Sequence, residues 1–330
     1  MKITPAAPEL WESFYESAPI ASYYQSPRWS DLWNRYTCGR YRPSPLLAER
    51  DDGARFLFPL TRQHMAGGLG IMWHGSPGGT YGGWLSDEIV LKAEESESLL
   101  KALFSYCGSI SWRWFPFGPS SGSFSGQHLR NDITHVLDLT PYHRDPDSLF
   151  RNRKNLLRHK RKAERSGITV RQAETKADWV RYHQLYRQSV RRWDPPPPHV
   201  FGSSFFKLLS EEMHGVQLWL AEKEDDLAAG VVLLSGRGHI SYWHGASDPL
   251  FYSMRAMNLL MHCVITDAAG QGHKYFDFNP SAGLKGVEAF KKSFGAVAMD
   301  TPVWEKSSGI VSFCHNIHRL RRRLARRRSV

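Results

Sequence analysis

The fold is decided by residues 275–296, which read YFDFNPSAGLKGVEAFKKSFGA. Residues 275–278 are aromatic apart from Asp277, which predicts a mostly covered strand whose one carboxylate stands out. Residues 279–284 contain the asparagine, proline and glycine that are typical of a loop. A strand end, a loop and a helix start that meet in an open sheet mark the position where α/β proteins place their sites.

Apolar side chains then recur at helical spacing at Val287, Phe290 and Phe294, so this face of the helix is predicted to contact a core. The same spacing predicts that Lys291 and Lys292 lie on another side of the helix. The glycine that follows Phe294 suits the left-handed residue that ends a helix. The stretch is therefore predicted to form a strand, a tight loop and a short helix.

Length and composition set the outer bounds. The 330 residues allow two domains, and 41% hydrophobic with 13% aromatic residues is enough for real cores. No apolar run approaches the roughly 20 residues that span a bilayer, and the first residues lack the pattern of a signal peptide. The four cysteines have no paired spacing, which indicates reduced thiols in a cytoplasmic protein. Cys314, His315 and His318 lack a fourth ligand, so no metal site is predicted.

The net charge of +11 is concentrated in two segments. Residues 151–165 contain eight basic side chains against one glutamate, and residues 319–328 contain seven arginines. Such concentration predicts a polyanionic partner, which is RNA, phosphates or an anionic membrane surface. A solvated helix face followed by a solubilising tail is the alternative. The predicted nucleic-acid-binding residues are Arg151, Arg153, Lys154, Arg158, Arg161, Arg322 and Arg323.

The first half of the chain mixes helices with strands and is predicted to form a domain over residues 1–145. The second half, residues 146–330, begins with a long basic helix at 147–167 and continues through another helix to a polyproline segment at 194–198. The elements expected after it are an antiparallel meander at 216–245, a long helix at 251–270, strands at 273–278 and 297–304 around a helix at 287–294, and a basic C-terminal helix at 309–328.

Five motifs carry a resemblance to a known family. Residues 290–295, Phe-Lys-Lys-Ser-Phe-Gly, match a Phe-Lys-x-x-Phe-Gly signature, and residues 269–278 match a glycine followed by a Tyr/Phe-Asp-Phe strand. Residues 151–170 and 241–245 match a basic helix and an aromatic strand, and residues 25–29 match an opening segment. With these motifs the chain resembles the FemABX family and its GNAT-like acyltransferase relatives. The resemblance implies an α/β (α+β) chain of two GNAT-like acyltransferase domains, each a mixed central sheet flanked by helices.

The resemblance also implies an activity, which is transfer of an aminoacyl group from tRNA, or of an acyl group from another activated donor, to an amine. Three hypotheses stay open: aminoacyl transfer from aminoacyl-tRNA, N-acyl transfer from acyl-CoA or another thioester, and a non-catalytic module that binds RNA or an anionic surface. Residues 248–255 lack the glycine loop that usually holds the pyrophosphate of coenzyme A, which favours tRNA. Asp31 and Trp33 stand where cell-wall members carry a lysine, so a peptidoglycan precursor is not the expected acceptor.

Three residues are predicted to be catalytic. Attack of an amine on an ester or thioester builds an oxyanion, so it needs a nearby cation and a base. Lys291 lies at the lysine of the family signature and is the candidate cation, with Phe290 fixing its helix against the core. Asp277 is the candidate base or amine-orienting group, and His244 is a second candidate base because histidine titrates near neutrality. The structural alternatives are a surface lysine, a turn-capping aspartate and a packed histidine.

The resemblance also implies that the strands at 239–245 and 273–278 are spread apart, so that an extended acyl donor can pair with the backbone between them. Six residues are predicted to contact substrate at this opening: Tyr242, Trp243, Tyr252, Arg255, Asn279 and Phe290. Arg255 is the candidate for a phosphate or carboxylate, although a helix-surface arginine is the simpler interpretation. The expected acceptor is a small-molecule or peptide amine. The activated donor is a co-substrate, and no tightly bound cofactor is predicted.

Overall fold

The computed structural model describes residues 1–65, 70–86, 91–118, 129–193, 200–281, 283–309 and 311. The polyproline segment, the metal-ligand candidates near residue 314, and Arg322 and Arg323 of the predicted C-terminal helix lie outside these residues.

The described helices are α1 (Pro8–Ser17), α2 (Pro27–Tyr36), α3 (Ala93–Cys107), α4 (Lys154–Arg165), α5 (Lys176–Val190), α6 (Ser203–Glu211), α7 (Ala256–Gly270) and α8 (Lys285–Ser293). The first ten strands are β1 (Lys2–Pro5), β2 (Tyr41–Pro43), β3 (Leu46–Glu49), β4 (Arg55–Phe58), β5 (Thr61–Met65), β6 (Gly70–His74), β7 (Leu85–Ser86), β8 (Ile110–Arg113), β9 (Leu129–Arg130) and β10 (Ile133–Asp138). The others are β11 (Thr169–Gln172), β12 (Val216–Lys223), β13 (Asp226–Ser235), β14 (His239–Ser247), β15 (Tyr275–Asp277), β16 (Val297–Asp300) and β17 (Val303–Lys306).

The chain divides into two compact units, residues 1–132 with 300–330 and residues 133–299. The first unit contains a four-stranded sheet, β1-β3-β4-β7, and a six-stranded sheet, β2-β5-β6-β8-β17-β9. Pro27 opens α2, and the Ser26 hydroxyl accepts from the Trp29 N–H at 3.2 Å. The turn at residues 50–54 joins β3 to β4 in an antiparallel hairpin.

The second unit is built on a seven-stranded sheet with the order β11-β12-β13-β14-β15-β10-β16. Strands β12, β13 and β14 form the predicted antiparallel meander, and β15 pairs with β14 in parallel. Helices α4 and α7 cover one face with an apolar cluster that includes Leu156, Leu260, Phe276 and Phe294. Strand β15 is thus held by its two neighbouring strands, β14 and β10, and by the apolar cluster on one face of the sheet.

The structure moves the domain boundaries that the sequence predicted. Strand β10 was assigned to the first domain, but it pairs antiparallel with β15, with Val136 opposite Asp277, and so belongs to the second sheet. The predicted strand at 297–304 is two strands, because Pro302 has no N–H to continue a ladder. Strand β16 stays in the second sheet, whereas β17 pairs with β8 in the first unit.

Two predicted long helices are shorter than expected. The basic helix begins at Lys154, after a separate 3-10 turn at Pro146–Phe150. The helix expected from residue 251 begins at Ala256, because Arg255 has a left-handed φ of 64° and ends a 3-10 turn at Pro249–Met254. A left-handed residue cannot continue a right-handed helix, so Arg255 separates the two.

Candidate active site

Strands β14 and β15 separate at the residues that the sequence singled out. They pair over three positions, from His239 opposite Tyr275 to Ser241 opposite Asp277. Beyond Ser241, within the described residues, β14 continues to Ser247 paired with β13 alone. The register of that pair shifts at Trp243, and such a bulge bends its strand. The predicted gap between splayed strands is therefore present, and it opens at Tyr242.

Asp277 lies at this point and is completely buried. One carboxylate oxygen, Oδ1, accepts from the Thr134 hydroxyl at 2.5 Å and from the backbone N–H of Asn279 at 2.7 Å. The other oxygen, Oδ2, is 3.2 Å from His239 Nε2. Because both oxygens are engaged below the surface, Asp277 holds the loop in place, and the geometry does not favour the proton-abstracting role that was one of its two predicted roles.

Asn279 is the residue that this carboxylate holds. Its φ of 58° is left-handed, a conformation that asparagine tolerates better than most residues. Its side-chain Nδ2 donates to the Tyr242 carbonyl at 3.0 Å and so bridges the first position at which the strands part. Its own carbonyl accepts from Lys291 Nζ at 2.5 Å. The turn thus connects the buried carboxylate of Asp277 to the ammonium of Lys291.

The side chain of Lys291 is buried, with 2% of its surface exposed. This contradicts the predicted orientation of α8, since Val287 is 38% exposed and the lysine takes the inward position beside the buried Phe294. The helical pattern predicted the wrong orientation because it assumes that polar side chains face solvent. Here the buried ammonium of Lys291 has a hydrogen-bond acceptor, the Asn279 carbonyl. Phe290 is half-buried and packs edge-on against Phe294 at 5.1 Å, as expected, and Lys292 is exposed.

His135 belongs to the same neighbourhood, and sequence reasoning missed it. It is completely buried on β10, and its carbonyl accepts from the Phe278 N–H at 2.9 Å. Neither ring nitrogen has a hydrogen-bond partner in the described part of the chain. Burial lowers the pKa of His135, and the charges of Lys291 and Lys292 lower it further. A neutral imidazole therefore lies close to the cationic side of α8.

His244 lies beyond the gap, between β14 and α5. Its Nδ1 is 2.5 Å from the Tyr182 hydroxyl, and the rings of Tyr186 and Trp193 lie at centroid distances of 4.5 and 5.9 Å. Burial lowers the pKa of His244 to about 3. The reason given for His244 as a base, a pKa near neutrality, is therefore wrong, because the aromatic enclosure removes the solvent that a charged imidazole needs.

The other predicted substrate residues have different surroundings. Tyr242 is half-buried, burial raises its pKa to about 12, and its hydroxyl fills the space that a β-carbon would need at Gly245. Trp243 is half-buried and packs against other aromatic rings. Tyr252 is 54% exposed, and Arg255 is exposed at the start of α7. Asn279 and Lys291 lie where the strands separate, whereas Tyr252 and Arg255 belong to the turn that follows the end of β14 and the start of α7.

The basic helix α4 presents an exposed cationic stripe. Four exposed basic residues, from Lys154 to Arg165, follow one another at steps of four, three and four, which keeps them on one helix face. Together with one glutamate, Glu164, they line a groove of about 390 Å³. That glutamate pairs with Lys160 at 2.8 Å. We call the remaining four residues the α4 stripe: Lys154, Arg158, Arg161 and Arg165.

Two predicted nucleic-acid contacts lie outside the stripe. Arg151 pairs with Asp145 at 3.0 Å on the surface. The guanidinium of Arg153 occupies the space that a β-carbon would need at Gly295, which ends α8 with a φ of 92°. The glycine of the Phe-Lys-x-x-Phe-Gly signature is thus required by backbone conformation and by the neighbouring arginine.

The first unit contains a cavity of its own, with a volume of about 530 Å³. Its lining includes Asp31, Trp11 and Arg62, and the Arg62 guanidinium lies 5.7 Å from the ring centroid of Trp73. Asp31, one of the two residues that argued against a peptidoglycan precursor, thus lines this cavity.

Comparison with known proteins finds a family match in the second half of the chain. Residues 151–292 match the model of a family described as acetyltransferase (GNAT) domain. This stretch is similar to a GNAT domain. The match covers the basic helix, the meander, the separated strands and α8 up to Lys292, so it includes every predicted catalytic residue. Comparison with curated protein sequences finds no match.

Solved structures extend this similarity to nearly the whole chain. A crystal structure of FemX has a TM-score of 0.65 and 13% identity, and the alignment covers 92% of this chain and 96% of FemX. A tandem GNAT protein from the clavulanic acid biosynthesis pathway has a TM-score of 0.53, 11% identity and coverages of 93% and 98%. L-PGS from Bacillus licheniformis has a TM-score of 0.50, 13% identity and coverages of 95% and 96%.

These identities show the fold, and the fold is the predicted tandem of GNAT-like domains. The resemblance to FemABX and GNAT-like proteins is confirmed, and the chain is an acyltransferase. No described helix has the length and hydropathy to cross a membrane.

Proposed function

We propose that the chain forms amide bonds by transferring an aminoacyl group from aminoacyl-tRNA to an amine. The observation that carries the proposal is the buried ammonium of Lys291, held on the Asn279 carbonyl where β14 and β15 part. A cation in a site shielded from water stabilises a developing oxyanion far more strongly than one in water does.

In the proposed reaction the acceptor nitrogen attacks the carbonyl carbon of the aminoacyl ester. An ammonium has three N–H donors, so Lys291 keeps its bond to Asn279 while it donates to the carbonyl oxygen as negative charge builds there. The C–N bond forms, the C–O bond to the ribose breaks, and the proton lost by the amine ends on the ribose oxygen. Asp277 acts as a positioning residue, since it fixes the turn whose carbonyl holds Lys291.

Two features favour tRNA as donor. The α4 stripe is exposed and positive, and contacts from lysine and arginine to phosphates dominate the affinity of proteins for RNA. The start of α7, where coenzyme A would need a glycine loop, is instead formed by a 3-10 turn and the left-handed Arg255. An acyl thioester as donor remains the competing hypothesis, and the assays below separate the two.

The first test compares Lys291→Met with Lys292→Met. The two lysines are neighbours on α8, but the first is buried and the second exposed, so Lys292→Met controls for loss of one charge on this helix. Removal of one oxyanion donor typically costs roughly 100- to 1,000-fold in turnover, and we expect that loss for Lys291→Met alone. Equal activity of the two variants, each checked for folding by circular dichroism, would remove Lys291 from the mechanism.

The second test identifies the donor. Radiolabelled aminoacyl-tRNA and a set of acyl-CoA thioesters are supplied in parallel with a panel of amines, and amide product is measured with and without ribonuclease. We expect product from aminoacyl-tRNA that ribonuclease abolishes. Product from acyl-CoA that survives ribonuclease would overturn tRNA as donor and leave the acyltransferase class intact.

The third test addresses the α4 stripe. Arg158→Glu should weaken tRNA binding and flatten its salt dependence by about one phosphate contact. The control is Arg187→Glu, which reverses the same charge at an exposed position of α5 in the same unit. Equal losses in the two variants would mean that net charge alone, and not this surface, attracts tRNA.

A further inference from the structure

Four large apolar side chains are exposed in the two segments that follow the carboxyl ends of β14 and β15. Leu250 and Tyr252, 78% and 54% exposed, lie in the 3-10 turn that follows β14. Leu284 and Val287, 48% and 38% exposed, lie at the start of α8, after the loop that follows β15. Because β14 and β15 are parallel, both segments follow the carboxyl ends of their strands, and β14 runs on to Ser247 after β15 has ended. We call these four residues the apolar rim.

Three exposed cationic side chains lie close to the rim residues along the chain. Arg255 follows the 3-10 turn, and Lys285 and Lys292 lie on α8; all three are exposed. The acids of the same segments are less available: the Asp248 carboxylate accepts from the Leu250 N–H at 2.9 Å, and Glu288 is half-buried. These segments therefore combine exposed apolar groups with an excess of positive charge.

The backbone of the segment that follows β15 is also accessible. A β-carbon placed at Gly283 or Gly286 would meet no described heavy atom within 4 Å. Helix α7, which starts directly after the rim turn, packs against α4 through the apolar cluster, so the α4 stripe belongs to the same layer of the unit.

We propose that the apolar rim seats the protein on the surface of an anionic lipid bilayer. RNA phosphates would pair with the cations but give no reason for exposed leucines. A bilayer interface accepts both, since apolar side chains enter the headgroup boundary while Lys and Arg are attracted to anionic lipids. This surface is independent of the proposed donor, and it would bring the separated strands to substrates carried by the membrane.

The test measures co-sedimentation of the full chain with phosphatidylcholine vesicles that contain or lack phosphatidylglycerol. We expect binding to the anionic vesicles that weakens as salt rises, and at least a tenfold loss of partitioning in Leu250→Ser/Leu284→Ser. The matched control is Val180→Ser/Met213→Ser, which removes two apolar side chains, 58% and 86% exposed, elsewhere in the same unit. All residues changed are exposed, so thermal unfolding should match the parent chain.

Several results would overturn the proposal. Unchanged binding of Leu250→Ser/Leu284→Ser would show that charge alone holds the vesicles, and absence of binding by the parent chain would exclude the surface altogether. Loss of tRNA binding with vesicle binding intact would assign the rim to RNA. Self-association of the parent chain in sedimentation velocity, abolished in the double variant, would assign it to a second copy. Lys291→Met should bind vesicles like the parent, so failure of the proposed reaction would be seen separately.

Discussion

Replacement of Thr134 by valine tests whether the chain from β10 to Lys291 is held as the structure indicates. The Thr134 hydroxyl is completely buried and donates to Asp277 at 2.5 Å. Valine has nearly the same volume, so the change removes a hydrogen bond to a charged group without opening a cavity. Such bonds contribute roughly 1.5–3 kcal/mol, a large fraction of the roughly 5–15 kcal/mol that stabilises an ordinary domain.

The magnitude predicts a local observable. The Phe278 N–H bonds to the His135 carbonyl beside this network, so its hydrogen exchange reports opening of β15 from β10. A loss of 1.5–3 kcal/mol corresponds to roughly 10- to 150-fold faster exchange where opening limits it. We expect that acceleration in peptides spanning residues 275–281, measured by mass spectrometry.

The control is Thr266→Val on α7. The Thr266 hydroxyl is buried and has no hydrogen-bond partner among the described residues, so its removal should leave exchange of the 275–281 peptides within about twofold, since no bond is lost. A double-mutant cycle of Thr134→Val with Asp277→Asn should show a coupling of roughly 0.5–3 kcal/mol. Exchange as slow in Thr134→Val as in the control, or additive effects in the cycle, would refute the argument that Thr134 acts through the carboxylate.

Three further predictions follow from single contacts. Gly295→Ala should lower the free energy of unfolding by roughly 1–3 kcal/mol, because φ is 92° and the guanidinium of Arg153 fills the β-carbon position. In denaturant titrations, the double variant Gly295→Ala/Arg153→Ala should recover only part of the lost free energy of unfolding. Gly286→Ala, with open space around it inside α8, should instead stabilise by roughly 0.5–1 kcal/mol, and a loss would show hidden packing there. Burial lowers the pKa of His262 to about 4, so the unfolded chain binds the proton at a higher pH than the folded chain does. The free energy of unfolding should therefore fall as pH drops from 6.5 towards 4, by about 1.4 kcal/mol per pH unit. His262→Leu should reduce this pH dependence in urea unfolding at pH 7 and pH 5, and an unchanged pH dependence would contradict the argument.

Much of the second unit was predictable because its signals are local. The meander, the Tyr-Phe-Asp-Phe strand and α8 appear in the structure within a few residues of their predicted bounds. Alternation and helical spacing report burial of apolar faces, and most of this unit buries such faces. The family motifs then identified the separated strands, which periodicity alone could not have located.

The burial of Lys291 could not be predicted in the same way. Hydropathy patterns place a lysine outside, whereas its position here depends on a carbonyl in the left-handed turn at Asn279, twelve residues earlier. Such a contact depends on tertiary structure. His244 shows the opposite error: its neutral-range pKa was assumed from the free side chain, and the rings of α5 that lower it lie some 60 residues away in sequence.

The roles of Thr134, His135 and His239 were missed for a topological reason. The first two lie on β10, which the sequence assigned to the first domain, because strand order in a sheet is not written in local sequence. His239 was only the first residue of a predicted strand. Residues 133–138 read Ile-Thr-His-Val-Leu-Asp and are only half apolar, so their pattern does not indicate which sheet the strand joins.

The position of β17 has a consequence for synthesis on the ribosome. The first unit needs β17 to cover β8, yet residues 133–299 must emerge before that strand exists. At about 5–20 residues per second, β8 stays unpaired at that edge for roughly 10–40 seconds, while the second unit can already complete its sheet. The unit whose translation begins first therefore completes its sheet last. Nascent chains stalled near residue 290 should expose the unpaired edge of β8, and we expect chaperones to bind there.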